Sequence, residues 1–357
     1  LIGTAVSDIS AQLVEQVLDA RAAARPLDIV GGGSKAFIGR ETAGEPLHVG
    51  AHRGIVGYAP RELVLTARGG TPLVEIDAAL DEHGQMLSFE PPRFGPTATI
   101  GGTLACNASG PARPWGGQVR DMVLGVRLIN GRGEVLRFGG EVMKNVAGFD
   151  VARLQSGALG AFGVVVEISV KVLPRPAATA TRVLDTDAAG ALRRMNELAG
   201  RPWPLSGAAW CEGRLYLRFA GTASAVTAAA RRCGGEALDA AASFWRDLAA
   251  QRLPWFDAGR PLWRLSVRPT APLPDWDAQG LIDWGGAQRW IQGAYDEARM
   301  RRAAEAAGGH ASLFRGGDRR SEVNHPLSEP LAALHVRLKQ AFDPQGLFNR
   351  GRLYSWL

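Results

Sequence analysis

Five residues, Gly31-Gly32-Gly33-Ser34-Lys35, follow directly on the short apolar stretch Leu27-Asp28-Ile29-Val30. Glycines bring backbone N–H groups close to an anion with no Cβ in the way, and the run suits a pyrophosphate. It is not a triphosphate-binding P-loop, because no Gly-Lys-Ser/Thr closes it. Nor does it have the G-x-G-x-x-G spacing that opens a helix in nicotinamide-binding folds. Taken alone, the run also reads as a plain turn.

A second segment, Pro96-Thr97-Ala98-Thr99-Ile100-Gly101-Gly102-Thr103-Leu104-Ala105-Cys106-Asn107-Ala108-Ser109-Gly110, gathers hydroxyls, backbone amides and an Asn amide. Such groups suit a ligand with phosphates and a polyol chain. They equally suit a tight loop that satisfies its own backbone.

The elements that must position these segments are legible in part. Ile9, Leu13, Val14, Val17 and Leu18 fall on one helical face, with Ser7 or Asp8 as N-cap. Arg25-Pro26 ends that helix, and residues 27–30 read as a strand. Residues 55–58 and 63–67 carry β signals. Thr71-Pro72 opens a helix as N-cap and first turn, with Leu73, Ile76 and Leu80 as its stripe and Gly84 as its C-terminal cap. Residues 90–117 show little periodicity and read as irregular. Asn130-Gly131-Arg132-Gly133 between two apolar runs predicts a hairpin. Val164, Val166, Ile168, Val170 and Val172 alternate with Glu167, Ser169 and Lys171 in a half-buried strand, which Pro174 and Pro176 then break.

The second half differs in kind. Eight of the ten Trp lie between Trp203 and Trp290. Residues 215–219, 263–267, 280–284 and 311–314 read as strands and residues 295–307 as a helix, an α+β pattern. A last helix carries Leu331, Leu334, Leu338 and Phe342 and stops at Asp343-Pro344.

Composition excludes several classes. The net charge of +6, from 41 basic and 35 acidic residues, is spread along the chain and reads as a solvated surface. No nucleic-acid-binding spacing is present. No run of about 18 apolar residues predicts a membrane span, and no basic-then-apolar start predicts secretion. Cys106, Cys211 and Cys233 are far apart, so neither a disulfide framework nor a four-thiolate iron–sulfur cluster is expected in this chain.

Read together, the two glycine-bearing segments resemble the FAD-binding domain of the vanillyl-alcohol oxidase, or PCMH-type FAD-linked oxidase, superfamily. Further stretches strengthen the likeness: Arg120-Asp121-Met122-Val123-Leu124-Gly125 is similar to R-D-x-V-L-G, and Lys144-Asn145-Val146-Ala147-Gly148-Phe149-Asp150 to K-N-x-A-G-Y-D with Phe for Tyr. Gly157-Ala158-Leu159-Gly160-Ala161-Phe162-Gly163-Val164 is similar to G-x-x-G-x-x-G-V/I, and the tail from Asp343 to Arg352 to D-P-x-G-x-x-N-P-G-K. Within the superfamily the chain resembles the FAD-binding subunits of bacterial glycolate oxidases, a likeness that extends into residues 263–272, 281–290 and 308–318.

The resemblance implies an α+β chain. Residues 1–175 would form a PCMH-type FAD-binding domain of two α+β subdomains. Residues 176–328 would form an α+β cap domain with an antiparallel sheet for substrate or partners. Residues 329–357 would be a helix and tail returning to the FAD domain. By the same resemblance, Gly31, Gly32, Gly33, Ser34 and Lys35 surround the FAD pyrophosphate. Pro96, Thr99, Gly101, Gly102, Asn107, Ser109 and Gly110 form the second contacting segment. Gly160, Gly163, Val164 and Val165 match the strand start beside the adenine, and Asn349 and Arg352 the returning tail. Some relatives attach the flavin through a His after the glycine loop. Ser34 and Lys35 stand there, so a non-covalent FAD is expected.

The resemblance further implies a heteromeric complex with a second flavin subunit and an iron–sulfur subunit. Its activity would be oxidation of glycolate, or another small 2-hydroxy acid, to the oxo acid. The chain would lie in the cytoplasm or be held at the inner face of the membrane through its partners. Such chemistry needs an Arg for the carboxylate, a base for the hydroxyl proton and a flavin for the hydride. Related catalytic subunits carry a His-rich metal motif in the cap. It is not found here, and His310, His325 and His335 do not replace it, so no metal is expected. Arg264, Arg268 and Arg315 are the candidates for the carboxylate, Arg264 and Arg268 sharing one strand face by parity; Arg289 lies nearby. Asp283 reads as a turn residue and no catalytic residue is assigned. A second reading keeps the FAD but makes the chain an electron relay or scaffold. A third is a stand-alone oxidase using oxygen.

Overall fold

Thr71 and Pro72 show how local signals give way to packing. The computed structural model, which describes residues 7–140, 148–257, 259–273 and 280–357, starts the helix Leu73–Asp81 with Pro72, not Thr71, at its N-cap. The Thr71 hydroxyl instead accepts from the Gly54 N–H and donates to the Gly54 carbonyl, at 2.9 and 3.1 Å. A buried hydroxyl with two partners outweighs one cap bond. The part of the K-N-x-A-G-Y-D segment formed by Lys144, Asn145, Val146 and Ala147 lies outside the described residues.

Seven strands of the first half are β1 (Leu27–Val30), β2 (Glu45–His48), β3 (Ile55–Ala59), β4 (Val64–Arg68), β5 (Gln85–Met86), β6 (Val123–Ile129) and β7 (Val135–Gly139). They are followed by β8 (Val164–Lys171) and β9 (Leu173–Pro174). β1 and β2 pair in parallel, as a small sheet of their own. The antiparallel order β3-β4-β8-β6-β7 makes a five-stranded sheet, with β8 at its centre. The β6–β7 hairpin turns on Asn130 as expected; its Oδ1 accepts from the N–H groups of Arg132 and Glu134.

Three expectations are corrected. Ser169 does not face solvent; its hydroxyl meets Thr66 at 2.8 Å in the cross-strand position, because β8 is covered on both faces. The helix Ser10–Ala22 buries Leu13, Val17 and Ala20 while Leu18 is exposed, and its N-cap is Ile9. Residues 90–117 are not irregular throughout: they contain short helices at Ile100–Ala105 and Arg113–Gly116. The first begins where the Thr99 hydroxyl accepts from Gly102 N–H. Its two glycines oppose helix propensity, but a Cβ at Gly101 would stand 2.6 Å from the Gly69 carbonyl oxygen.

The remaining strands are β10 (Ala178–Asp185), β11 (Leu205–Cys211), β12 (Arg214–Gly221), β13 (Glu236–Ala237), β14 (Leu262–Ser266), β15 (Leu281–Asp283), β16 (Gln288–Gln292) and β17 (His310–Arg315). They form one antiparallel sheet in the order β13-β10-β12-β11-β15-β16-β14-β17. Helices Ala188–Ala199 and Ala223–Cys233 bury Met195, Leu198 and Val226 in one core with Leu215 and Phe219. The chain is therefore α+β with an antiparallel second sheet.

The last helix, Glu329–Phe342, leaves Leu331 and Leu334 exposed, contrary to the expected stripe; Leu338 and Phe342 pack on Phe162 and Tyr354. Its C-terminal Lys339 is buried and donates to the carbonyls of Ala161 and Phe348, and its ammonium lies 2.9 Å from Asp343. The Asp343 carboxylate in turn accepts from the N–H groups of Leu347 and Phe348. This pair folds the tail back beside β1, where Leu27 donates to Leu347 and Asn349 donates to Leu27. No helix among the described residues is long and apolar enough to cross a membrane.

Candidate functional site

The two glycine-bearing segments lie against each other. A Cβ on Gly32 would sit 1.5 Å from the Thr97 carbonyl oxygen, and the Thr97 hydroxyl donates to the Gly32 carbonyl at 2.5 Å. Glycine at 32 is therefore required by the neighbouring chain and not only by a ligand. Gly33 is different: its φ is +73° and nothing stands within 4 Å of its missing Cβ.

A cleft of about 870 Å³, counting its open mouth, runs between these segments. Gly31, Gly32, Gly33, Ser34 and Lys35 form one wall; Thr99, Gly101 and Gly102 form a second. Gly160, Gly163 and Val165 lie along a third side, and Asn349 and Arg352 close it from the tail. Val164 points away into the core at 0% exposure, and Pro96 does not line the cleft. Sequence reasoning missed Gly69, Val49 and Gln155, which also line it. The Gly69-Gly70 pair directly after β4 was a usable signal for the first.

Asn349 holds rather than opens this wall. Its Oδ1 accepts from Ile29 N–H at 2.7 Å and its amide nitrogen donates to the Leu159 carbonyl. Lys35 is not satisfied in this way. Only 6% of it is exposed, and its ammonium has no hydrogen-bond partner among the described residues. Burial pulls its pKa below the usual lysine range, with Cys106 acting the other way. The amide nitrogen of Gln155 is likewise buried and without a partner among the described residues.

A second chamber, about 490 Å³ counting its open mouth, lies between residues 106–111 and the second sheet. Cys106 lines both spaces and marks where they meet. Burial pushes the Cys106 thiol up, against the pull of Lys35, Arg352 and Arg264, so it stays a neutral thiol. Asn107, Ser109 and Gly110 line this second chamber and not the first cleft. Asn107 accepts from Ser156 and donates to Gln118, and Ser109 accepts from Val119 N–H. Their polar atoms serve the loop.

The facing sheet surface is ordered by register. One cross-strand row runs Leu281, Trp290, Arg264, Ser312; the next runs Asp283, Gln288, Ser266, His310. Rows two residues apart share a face. Arg264, Asp283, Gln288, Trp290 and Phe314 line the chamber. The Arg264 guanidinium lies 5.3 Å from the Phe314 ring centre, makes no hydrogen bond or ion pair within the described residues, and leaves its Nε buried without a partner. Burial lowers its pKa to about 10, so it remains a cation at neutral pH.

The other candidate arginines lie elsewhere. β14 ends at Ser266, so the parity argument for Arg268 fails; Arg268 is exposed and reaches the Ala307 carbonyl. Arg315 donates to Gln251 and lines neither space. Arg289 is buried and spends its guanidinium on the carbonyls of Gly286, Pro272 and Ala271. Asp283, read as a turn residue, does accept from Trp284 N–H at 2.7 Å, but it is also buried and faces the chamber.

Residues 8–139 match the family described as FAD binding domain. The chain is 48% identical over 350 residues to glycolate oxidase subunit GlcE of Escherichia coli (strain K12), covering 98% of this chain and 99% of that protein. The chain belongs to the GlcE family of glycolate oxidase subunits. This GlcE-family chain is also 32% identical over 114 residues to glycolate oxidase subunit GlcD of Bacillus subtilis (strain 168), covering 32% of this chain and 24% of that protein. To a D-lactate dehydrogenase of Anaerostipes hadrus it is 32% identical over 122 residues, 34% of this chain and 25% of that one. A solved structure of alkyldihydroxyacetonephosphate synthase superposes with a TM-score of 0.63 at 16% identity, covering 94% of this chain and 74% of that one; the likeness is one of fold.

The GlcE-family chain is thus an FAD-linked flavoprotein of an oxidoreductase family. The cleft fits the cofactor on its own terms. A dinucleotide brings two phosphate charges and many acceptors, and the cleft offers a buried ammonium, a buried amide donor and glycine backbone.

Proposed function

We propose that this chain is the FAD-binding subunit of a heteromeric dehydrogenase that oxidises glycolate, or another short 2-hydroxy acid, to the oxo acid. Electrons would leave through an iron–sulfur partner chain, and a second flavin subunit would complete the complex. Membership of the GlcE family, whose E. coli representative is named as a glycolate oxidase subunit, supports the substrate class.

One observation carries the reading furthest. The glycine-walled cleft meets, at Cys106, a chamber lined by Arg264, whose buried Nε has no partner among the described residues. In this reading Gly31, Gly32, Gly33 and Lys35 hold the FAD pyrophosphate without a covalent bond, and Thr99, Gly101 and Gly102 hold the facing side. Gly160, Gly163 and Val165 lie beside the adenine, and Arg264 takes the acid's carboxylate. When bound, FAD supplies the acceptor for the hydride of the oxidised carbon. The residues of this chain bind the acid, orient it and keep water from it. Residues 1–175 serve as the FAD domain, 176–328 as the cap and 329–357 as the returning tail. The complex works in the cytoplasm or against the inner membrane face.

Anaerobic addition of glycolate to the FAD-loaded chain, alone and with its partners, tests this. Bleaching of the flavin absorption in the chain alone is the expected result. A flavin that stays oxidised in the chain alone, with glycolate oxidation appearing only when the partner subunits are added, would favour the relay or scaffold role and overturn the assignment.

A further inference from the structure

The chamber holds one buried acid that the reading above does not use. Asp283 is 3% exposed, and it stands on the same sheet face as Arg264, one row along and two strands away. Its Oδ1 accepts from Trp284 N–H at 2.7 Å, and Gln288 Nε2 lies 3.4 Å from its Oδ2. Among the described residues it forms no ion pair. The charged groups that act on it, Arg218 and Glu90, pair with each other at 2.9 Å, and the other titratable group of its row is His310, which burial and Arg264 hold below the ordinary histidine value. Arg113 lies over the Trp284 ring, 4.4 Å from its centre. The chamber therefore presents the Arg264 guanidinium, whose Nε is buried, and the buried Asp283 carboxyl, neither in an ion pair among the described residues, with an aromatic wall of Trp284, Trp290 and Phe314.

We propose that this chamber recognises a small monocarboxylate with an oxygen on the next carbon, Arg264 taking the carboxylate and Asp283 the second oxygen. The inference rests on the flavin subunit reading and names the group that distinguishes a 2-hydroxy or 2-oxo acid from a plain carboxylic acid.

A guanidinium binds a carboxylate through two parallel N–H bonds, and the buried Nε of Arg264 has no partner among the described residues. A carboxyl group reads the second oxygen in either form. Ionised, it accepts from a 2-hydroxyl; neutral, it donates to a 2-oxo group. Both forms are accessible near neutrality. Burial pushes Asp283 up to about 7, against the pull of Trp284 N–H, Arg218 and Gln288; Glu90 adds to the rise. A bound anion carrying a 2-oxo group favours neutral Asp283 on two counts: a donated hydrogen bond and relief from like-charge repulsion.

The test uses oxamate, a monoanionic 2-oxo acid amide with no hydrogen for a flavin to remove. Its Kd is measured calorimetrically on the FAD-loaded chain between about pH 5 and about pH 9. The expected Kd is flat below the Asp283 pKa and rises above it by up to ~tenfold per pH unit, the limit for one linked proton. D283N should bind oxamate with little pH dependence, and R264M should bind it at least ~tenfold more weakly at every pH, from the loss of charge-assisted bonds. Q288L, which removes a donor to the ionised carboxylate, should move the midpoint upward and serves if D283N does not fold. A wild-type Kd that does not change with pH, or R264M binding as tightly as wild type, overturns the proposal. Flavin absorption recorded on each sample separates this from failure of the flavin reading, which would show as protein without FAD.

Discussion

The indole nitrogen of Trp284 donates to the carbonyl oxygen of Gly110 at 2.9 Å, across 174 positions of sequence. Both residues are buried. Trp284 follows Asp283 directly, and Gly110 closes the second glycine-bearing segment. One hydrogen bond thus ties the sheet of the second half to the loop that walls the chamber.

Trp284→Phe keeps an aromatic wall but leaves the buried Gly110 carbonyl without that donor. The expected loss is about 1–3 kcal/mol of unfolding free energy, the desolvation of one unsatisfied group. Denaturant unfolding of the FAD-loaded chain measures it. An unchanged midpoint would mean that the bond holds nothing together.

Lys35→Met should act with opposite sign on two quantities. In the FAD-free chain, removing a buried unpaired ammonium leaves stability equal or higher, because burial lowers its folded pKa and so disfavours its charged form. In the loaded chain it removes a charge-assisted bond to phosphate worth ~1.5–3 kcal/mol, so FAD should bind ~10- to 100-fold more weakly. Thermal unfolding with and without FAD, together with fluorescence titration, separates the two.

Much of this site was readable from local sequence, and the reasons are specific. Residues 27–35 and the hairpin at Asn130 are set by nearest-neighbour rules, apolar runs broken by turn residues. β16 was not readable. Gln288 and Trp290 face the chamber, while Arg289 between them is buried by three carbonyls from 271, 272 and 286. No local pattern announces a strand whose polar positions are satisfied by distant backbone. Arg268 failed for the complementary reason: parity along a strand holds only while the strand lasts, and β14 stops at Ser266.

Gly32→Ala and Gly33→Ala should differ sharply although the residues are adjacent. At 32 the added methyl would overlap the Thr97 carbonyl, so the two cofactor segments must part and FAD binding is lost. At 33 space is open and only the positive φ is strained, a cost of about 1–2 kcal/mol. FAD stoichiometry after gel filtration reads the difference; equal retention by both would contradict the packing argument.

Lys339→Met should destabilise the tail by about 3–5 kcal/mol, since it strips a buried pair of one charge. The damage should reach the cleft, because Asn349 and Arg352 follow the turn that Asp343 organises. Limited proteolysis of the C-terminus, alongside FAD titration, checks both effects.

Asp283→Asn should stabilise the chain at pH 8 and change it little at pH 4. The folded pKa of about 7 lies above the ordinary carboxylate value of 3.8, so the unfolded chain releases its proton first as pH rises. Stability from this group is therefore present in acid, falls between those two values, and stays low above them. Denaturant midpoints at the two pH values give the sign directly.

The central claim is that the cleft between the Gly31–Lys35 loop and the helix Ile100–Ala105 holds one FAD, without a covalent bond, through Lys35 and the glycine backbone. Reconstituting the purified chain with excess FAD, removing the unbound excess and releasing the remainder with acid measures it most directly. One FAD per chain, freed by acid and sharply reduced in Lys35→Met, is the predicted result. Protein that stays colourless, or Lys35→Met protein that retains FAD as tightly as the wild type, would contradict it.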